Sequence, residues 1–131
     1  LYHESGLLGV SGVSSDPRVL LQHQDEVPVQ QALDLYVRSI VREVGALVAA
    51  LNGLDLLAFT AGIGEHLAPI RERVCAGLGF LGIAIDPEAN AANASVISSP
   101  ASKVKVVVEP TNEEWVAATA AAALLPCASA R

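Results

Sequence analysis

The sequence has few aromatic residues, two cysteines and no methionine. Aromatic residues make up 4% of the 131 positions, so leucine, valine, isoleucine and alanine must fill any hydrophobic core. Hydrophobic residues reach 52% and charged residues 17%, which excludes intrinsic disorder as a description of the whole chain. This length predicts one unit over residues 1–131 and not two domains.

A basic stripe and a long apolar run are also absent. The formal net charge is −6, with 8 Lys and Arg against 14 Asp and Glu, which is unlike a nucleic-acid-binding module. No apolar stretch reaches the roughly 18 residues that span a bilayer, and the first residues lack the basic region of a signal peptide. The sequence therefore predicts neither a nucleic-acid partner nor a membrane partner. An acidic chain can still bind phosphate through backbone N–H groups.

The two cysteines give information about the cellular compartment and do not indicate a metal site or a disulfide. Cys75 and Cys127 lie far apart without a Cys-x-x-Cys spacing, which argues against a zinc site or a disulfide framework. This usage favours a reducing, cytoplasmic location. Cys75 falls in a helical pattern beside Val74 and is interpreted as a packed small residue. Leu1 in a chain without methionine predicts either a piece of a longer product or an alternative start codon.

Alternating helical and strand patterns predict an α/β fold. Apolar residues recur at steps of three and four from Val29 to Leu51, which predicts a long helix that ends at Asn52-Gly53. Further helices are predicted to begin near Pro17, Leu67 and Thr111. Strands are predicted at residues 54–60, 81–85 and 103–109. About three strands with three or four helices make a thin sheet, which indicates part of a larger domain.

Three connecting segments are predicted to be irregular. Residues 5–15 are rich in glycine and serine and are interpreted as a loop that allows close backbone approach. Residues 61–65 are predicted to form a glycine loop after the strand at 54–60, whose continuous apolar composition predicts cover on both faces. Residues 89–102 are small and polar and are interpreted as a surface connection.

The strongest candidate site is the run Gly62-Ile63-Gly64-Glu65-His66, which joins a predicted strand to a predicted helix. Ligands of open α/β sheets bind at the carboxyl ends of strands, and glycines let the backbone approach them. The next helix also begins with free N–H groups that can bind phosphate. A tight strand-to-helix turn explains the two glycines equally well, so both interpretations stay open.

Two further candidates are less specific. Asp16 and Arg18 can hydrogen-bond a ribose and stack on a base, but a helix cap with a solvated arginine explains them more simply. Glu113 follows a strand and can hold Mg²⁺, which takes oxygen ligands. A capping box of Thr111 and Glu114 accounts for Glu114 and leaves Glu113 unassigned. Trp115, beside this box, is interpreted as a packing residue.

Taken together and in order, these segments resemble the C-terminal part of the acetate kinase family. The likeness runs from about Ser5 to Ala123. The segments that carry it are Ser5-Gly6-Leu7-Leu8-Gly9-Val10-Ser11-Gly12, Ser15-Asp16-x-Arg18, Phe59-Thr60-Ala61-Gly62-Ile63-Gly64-Glu65, Ile70-Arg71-Glu72, Leu81-Gly82-Ile83 and Pro110-Thr111-Asn112-Glu113-Glu114. The sequence departs from the family at His66, where asparagine is usual, and in a short stretch between Arg18 and Pro28.

The resemblance implies a partial ribonuclease-H-like domain of the actin, Hsc70 and sugar kinase superfamily. It implies that the complete enzyme transfers phosphoryl reversibly between ATP and acetate, giving ADP and acetyl phosphate, with Mg²⁺ as cofactor. Residue roles follow at matching positions. Asp16 and Arg18 would contact the adenosine, Gly62 to Glu65 would surround the nucleotide with His66 beside them, and Glu113 would help hold Mg²⁺.

The family's N-terminal domain, with its catalytic histidine and arginines, has no counterpart in this sequence. No catalytic residue is therefore assigned, and we expect the chain alone to be inactive. Two alternatives stay open beside a nucleotide-binding kinase segment. One is a non-catalytic module that forms a homodimer or binds a partner through the helix at 29–51. The other is half of a split short-chain acyl kinase, completed by a missing N-terminal half, with acetate, propionate or butyrate as its acceptor.

Overall fold

The computed structural model describes residues 5–123, in which seven α-helices accompany two β-strands. Strand β1 (Leu56–Phe59) follows the third helix, and strand β2 (Lys105–Val108) precedes the last. Two short 3₁₀ turns follow the second and fifth helices, at Leu21–His23 and Gly79–Leu81. The helices are α1 (Gly6–Ser11), α2 (Pro17–Leu20), α3 (Val27–Leu51), α4 (Ala61–His66), α5 (Ala68–Gly77), α6 (Pro87–Ala91) and α7 (Glu113–Ala123). This order confirms the predicted α/β class.

The sheet is a parallel pair in which Leu56 lies opposite Lys105 and Phe59 opposite Val108. The predicted third strand at 81–85 is wrong, because the described residues form only these two strands. Gly82 adopts a left-handed conformation with φ of 82°, which interrupts the extended run. A Cβ atom at Gly82 would lie 2.7 Å from the Lys103 side chain, so no other residue fits there without movement. Ile85 keeps only an isolated bridge, to Ser98.

The long helix was predicted correctly. Pro28 lies in its first turn, and Asn52 ends it in a left-handed conformation with φ of 59°. Val29 and Leu33 at its start are fully buried, whereas Leu47 near its end is 62% exposed. The helix therefore buries its N-terminal residues fully, packs against the core as far as Val44, and leaves Leu47 and Leu51 largely exposed.

The core lies between α3, α5 and β2. Its fully buried hydrophobic side chains include Leu20, Val29, Leu33, Val74, Leu78, Ile97 and Val106. Cys75 is buried among them, as predicted. The expectation that β1 is covered on both faces is wrong, since Leu56 is 49% exposed and exposure alternates along the strand. The core face of the pair carries Leu57, Phe59, Val106 and Val108, and the alternate positions of β1 are exposed.

Packing also overrides the three predictions of irregular structure. Residues 6–11 form α1, which packs along α3 although glycine and serine favour helices weakly. Residues 61–66 form α4 and not a loop. The segment 89–102 holds part of α6 and two buried residues, Asn90 and Ile97, so it is not merely a surface connection.

The last helix differs from its prediction in two ways. Trp115 is 65% exposed because α7 makes few contacts with the other described elements, so its interpretation as a packing residue is wrong. Asn112 caps the helix, since its Oδ1 accepts a hydrogen bond from the Trp115 N–H at 2.9 Å. Thr111 therefore does not have the capping role that the capping box assigned to it. None of the helices between residues 5 and 123 is long and apolar enough to cross a membrane.

Candidate functional site

A cleft of about 480 Å³ lies between the start of α2 and the start of α4. One side consists of Ser15 to Arg18 and the other of Thr60 to Ile63. These two segments are more than 40 positions apart in the sequence. The cleft follows β1, which ends at Phe59, and so lies at the carboxyl end of the sheet as expected for an α/β ligand site.

Asp16 and Arg18 form a close ion pair on one wall of this cleft. The Arg18 Nε donates to both carboxylate oxygens of Asp16 at 3.0 Å, and Nη2 donates to Oδ2 at 2.6 Å. Oδ1 also accepts from the Arg18 backbone N–H, so Asp16 caps α2 as predicted. Hydrogen bonds from Arg18 hold the pKa of Asp16 below its usual range. The Arg18 side chain remains 69% exposed, so the simpler interpretation of a helix cap with a solvated arginine agrees with the structure, which adds the pairing of Arg18 with Asp16.

The two glycines of α4 have different surroundings. A Cβ atom at Gly62 would meet no atom within 4 Å, so the backbone there borders open space. A Cβ atom at Gly64 would lie 3.1 Å from the carbonyl carbon of Phe59. Gly64 is thus explained by close packing of α4 on the end of β1. Gly62, which lines the cleft, is the glycine that leaves room for a ligand.

The cleft wall also contains an unusual backbone conformation. Ala61 begins α4 with φ of 58°, in the left-handed region that non-glycine residues rarely adopt. Such strain persists only where the surrounding structure holds it, and it is often found at ligand sites. Ile63, the last residue of this wall, is half-buried and packs against the core.

Glu65 and His66 lie at the end of α4, away from the residues that line the cleft. The Oε1 atom of Glu65 accepts hydrogen bonds from the backbone N–H and the hydroxyl of Thr111, at 2.9 and 3.1 Å. The bond from the Thr111 backbone is the main reason why the pKa of Glu65 lies below its usual range. His66 is exposed. Glu65 therefore ties α4 to the segment that leads into α7.

Glu113 is the first residue of α7, but its side chain lies outside the described part of the structure. Thr111, bonded to Glu65, places the start of α7 near the end of α4. No group of three acidic, histidine or cysteine side chains in the described residues is arranged to hold a metal ion. A magnesium ion bound with a nucleotide commonly takes only one or two carboxylates, with phosphates and waters completing its shell. The metal role of Glu113 stays a prediction.

Sequence reasoning missed a role for Arg71, which is fully buried on α5. Its guanidinium donates five hydrogen bonds, to the carbonyls of Gly64 and Glu65, to the side chain and carbonyl of Asn90, and to the side chain of Asn93. The signal that could have found it is its position in the apolar pattern of α5, next to Ile70 and one turn before Cys75. A charged side chain on a buried helix face needs hydrogen-bond acceptors within the protein, because burying it without partners is energetically costly.

A sequence profile of the acetokinase family matches residues 1–119. The chain belongs to the acetokinase family. An acetate kinase of Rhodopseudomonas palustris is 53% identical over 116 residues, which cover 87% of this chain and 29% of that protein. The acetokinase-family chain therefore spans about 30% of the length of such relatives.

Solved structures agree with this assignment. The structure of Porphyromonas gingivalis acetate kinase superposes with a TM-score of 0.81 at 41% identity, covering 94% of this chain and 32% of that one. A propionate kinase from Francisella tularensis gives a TM-score of 0.77 at 34% identity, covering 85% of this chain and 29% of that one. The family resemblance inferred from the sequence motifs is confirmed, as is the α/β fold.

Proposed function

We propose that this chain contributes the adenosine-binding and metal-side part of an acetate kinase site. The observation that carries the proposal is the cleft that joins Asp16 and Arg18 to Gly62 and Ile63 at the carboxyl end of β1. Its volume of about 480 Å³ suits a nucleoside-sized ligand. Membership of the acetokinase family makes ATP and ADP the expected nucleotides.

Each wall would contribute a different kind of contact. The Arg18 guanidinium, which is paired with Asp16 and largely exposed, offers a flat face on which a purine can stack. The Asp16 carboxylate can accept a hydrogen bond from a ribose hydroxyl. Gly62, with open space beside it, lets the α4 backbone approach the ligand, and Ile63 supplies an apolar surface. Glu65 and His66 do not line the cleft, so any contribution they make to nucleotide binding would be indirect, through the position of α4.

Glu113 would hold Mg²⁺ together with phosphate oxygens and waters. The bound ion supplies charge neutralisation during phosphoryl transfer. The chain's own contribution is to carry Glu113 on the first turn of α7, directly after the segment anchored by Thr111.

We propose no turnover by this chain alone. Phosphoryl transfer depends on positioned donors and charge stabilisation, and the catalytic histidine and arginines that the family resemblance implies have no counterpart in this sequence. A complete site would need these groups from an N-terminal half. The acceptor is proposed as a short carboxylate, since both acetate and propionate kinases are similar to this chain. The cysteine usage favours a cytoplasmic location.

Titration of the purified chain with Mg·ADP by calorimetry tests the nucleotide site. Asp16→Asn keeps a residue type that caps helices but removes the charge that orients Arg18. Wild type should bind ADP with a saturable heat, and Asp16→Asn should bind about tenfold more weakly or not at all. Asp34→Asn is the matched control, because Asp34 is exposed on α3 and does not line the cleft. Absence of heat at millimolar ADP would overturn the proposal.

A dimerisation module is the second candidate, favoured by uncovered apolar residues near the end of α3. Leu47 is 62% exposed, Leu51 is 70% exposed and the neighbouring Leu56 is 49% exposed. The double variant Leu47→Asp, Leu51→Asp tests this surface without touching the core, whereas Ile40 and Val44 pack against the core. Sedimentation that shows a dimer lost in this variant, in a protein that binds no ADP, would favour the module.

The split-enzyme alternative has its own test. The chain is mixed with an N-terminal half of a family member, and acetyl phosphate formation is followed. Activity that appears only in the mixture, and that Asp16→Asn lowers, would support a completed site built from two chains.

A further inference from the structure

We infer that Arg71 is a positioning residue for the cleft, because its buried guanidinium holds α4 and thereby the wall formed by Ala61, Gly62 and Ile63. The inference rests on the proposed nucleotide site for its functional meaning. Its structural part, that α4 depends on Arg71, stands independently of that site.

Besides the bonds from Arg71, helix α4 is held by Ile63, which packs against the core, and by the contact of Glu65 with Thr111. The helix contains six residues, none of them fully buried, and Ile63 is the one hydrophobic side chain of α4 that packs against the core. A helix of this length is not stable in isolation. Its first residue, Ala61, is held in a left-handed conformation that an alanine rarely adopts. A short, strained and largely exposed helix needs anchors from the rest of the molecule.

Arg71 is such an anchor, since one of its amino groups binds the end of α4. Nη1 donates to the carbonyl oxygen of Gly64 at 2.8 Å and to that of Glu65 at 2.9 Å. Carbonyls in the last turn of a helix have no partner within the helix, so these bonds satisfy groups that otherwise need water. The arginine comes from the next helix, α5, and therefore locks the angle between the two.

The opposite side of the guanidinium is fixed to the segment around α6. Nε donates to Asn90 Oδ1 at 2.8 Å, and Nη2 donates to the Asn90 carbonyl at 2.7 Å and to Asn93 Oδ1 at 2.6 Å. Asn90 is itself 3% exposed and donates through Nδ2 to the carbonyl of Ala68. Every polar atom of this cluster that is buried in the described residues has a partner. The guanidinium therefore has one permitted orientation.

The acceptors of Arg71 are all neutral, and in the described part of the chain no carboxylate forms an ion pair with it. The planar fork of five N–H donors is what matches these acceptors, and an ammonium group cannot reproduce it. Replacement by lysine keeps the charge and length but loses several of the bonds. The conservative substitution is therefore informative.

Two variants and one control test the inference. Arg71→Lys replaces the five N–H donors of the planar guanidinium with a single ammonium group. Asn93→Gly removes one acceptor and suits the backbone, because Asn93 has a positive φ of 52°. Ile97→Val destabilises the core at a fully buried position that is not part of the Arg71 cluster. Hydrogen exchange of α4 and β2 amides, ADP titration and urea unfolding are measured on each variant of the 131-residue chain.

Arg71→Lys should lose amide protection in α4 while β2 keeps its protection, and its ADP affinity should fall by about tenfold. Asn93→Gly should show the same pattern with a smaller loss, and it carries the test if Arg71→Lys does not fold. Ile97→Val should lower the urea midpoint without changing ADP affinity. Wild-type α4 protection and ADP affinity in either Arg71 cluster variant would overturn the inference. Wild type that binds no ADP would refute the nucleotide site, while the exchange data still decide whether Arg71 holds α4.

Discussion

Glu65 and Thr111, 46 positions apart, are joined by two hydrogen bonds to a single carboxylate oxygen. The backbone N–H of Thr111 donates at 2.9 Å and its hydroxyl at 3.1 Å. Glu65 lies at the end of α4 and Thr111 follows β2, so these bonds connect the helix that lines the cleft to the segment that leads to Glu113. The contact between Glu65 and Thr111 thus links α4, which lines the proposed nucleotide site, to the start of α7, which carries the proposed metal ligand Glu113.

This contact predicts a pH dependence of folding. The folded-state pKa of Glu65 lies below its ordinary value of 4.5, chiefly because the Thr111 N–H stabilises the ionised form. The contribution to stability is present above the unfolded-state pKa and is lost as the pH falls through the folded-state pKa. Urea unfolding of wild type should therefore show a larger fall in midpoint between about pH 7 and about pH 3.5 than Glu65→Gln.

The control for this pH experiment is Glu72→Gln, which removes an exposed carboxylate of α5. It should retain the wild-type fall in midpoint. Equal acid sensitivity of wild type and Glu65→Gln would contradict the assigned role of the Thr111 contact.

The two glycines of α4 should respond differently to alanine. Gly62→Ala meets open space, so its melting temperature should equal or slightly exceed that of wild type, because alanine favours helices. Gly64→Ala places a methyl group 3.1 Å from the Phe59 carbonyl carbon and should lose about 1–3 kcal/mol of stability. Thermal unfolding of the matched pair measures this. If Gly62→Ala is the less stable variant, the packing assignment of Gly64 is wrong.

The same matched pair separates binding from folding. Gly62→Ala should weaken ADP binding at unchanged stability, because the added methyl group lies beside the cleft. Calorimetry with Mg·ADP measures this effect. Unchanged affinity would place the nucleotide elsewhere on the chain.

Two leucines of α3 provide a test of where the core ends. Leu33 is fully buried, and Leu33→Ala should cost about 2–5 kcal/mol of the free energy of unfolding. Leu47 is 62% exposed, and Leu47→Ala should cost less than about 1 kcal/mol. Urea unfolding at one protein concentration compares them. A large cost at Leu47 would instead indicate that a second copy covers it, which the concentration dependence of the midpoint would reveal.

The Cys75 thiol should be inert in the folded protein. It is 2% exposed, and desolvation raises its pKa to about 11. At pH 8 only about one thiol in a thousand would be ionised, and the thiolate is the reactive form. In a Cys127→Ser background, labelling by a thiol reagent should be slow in buffer and rapid in urea. Rapid labelling of the native chain would contradict the described core.

Local patterns were sufficient for much of the fold. The long helix was predicted to within two residues at each end, because apolar periodicity, a proline in the first turn and Asn52 as an end signal all agree. The strand at 105–108 was predicted for a similar reason, with Pro110 closing it. The short helices α1 and α4 were missed, since both contain glycines that lower helix propensity and both are held in place by contacts with distant residues.

The sequence by itself determined the family, the α/β class, the long helix and the two segments that line the cleft, because these follow from motifs and periodicities within short stretches. Only the tertiary structure decided which residues of those segments face the cleft. It assigned Gly64 to packing, Glu65 to Thr111 and Arg71 to the support of α4. The physical reason is that these contacts join residues brought together by chain folding, and the directional demands of hydrogen bonds and close packing are absent from any local pattern of residue types.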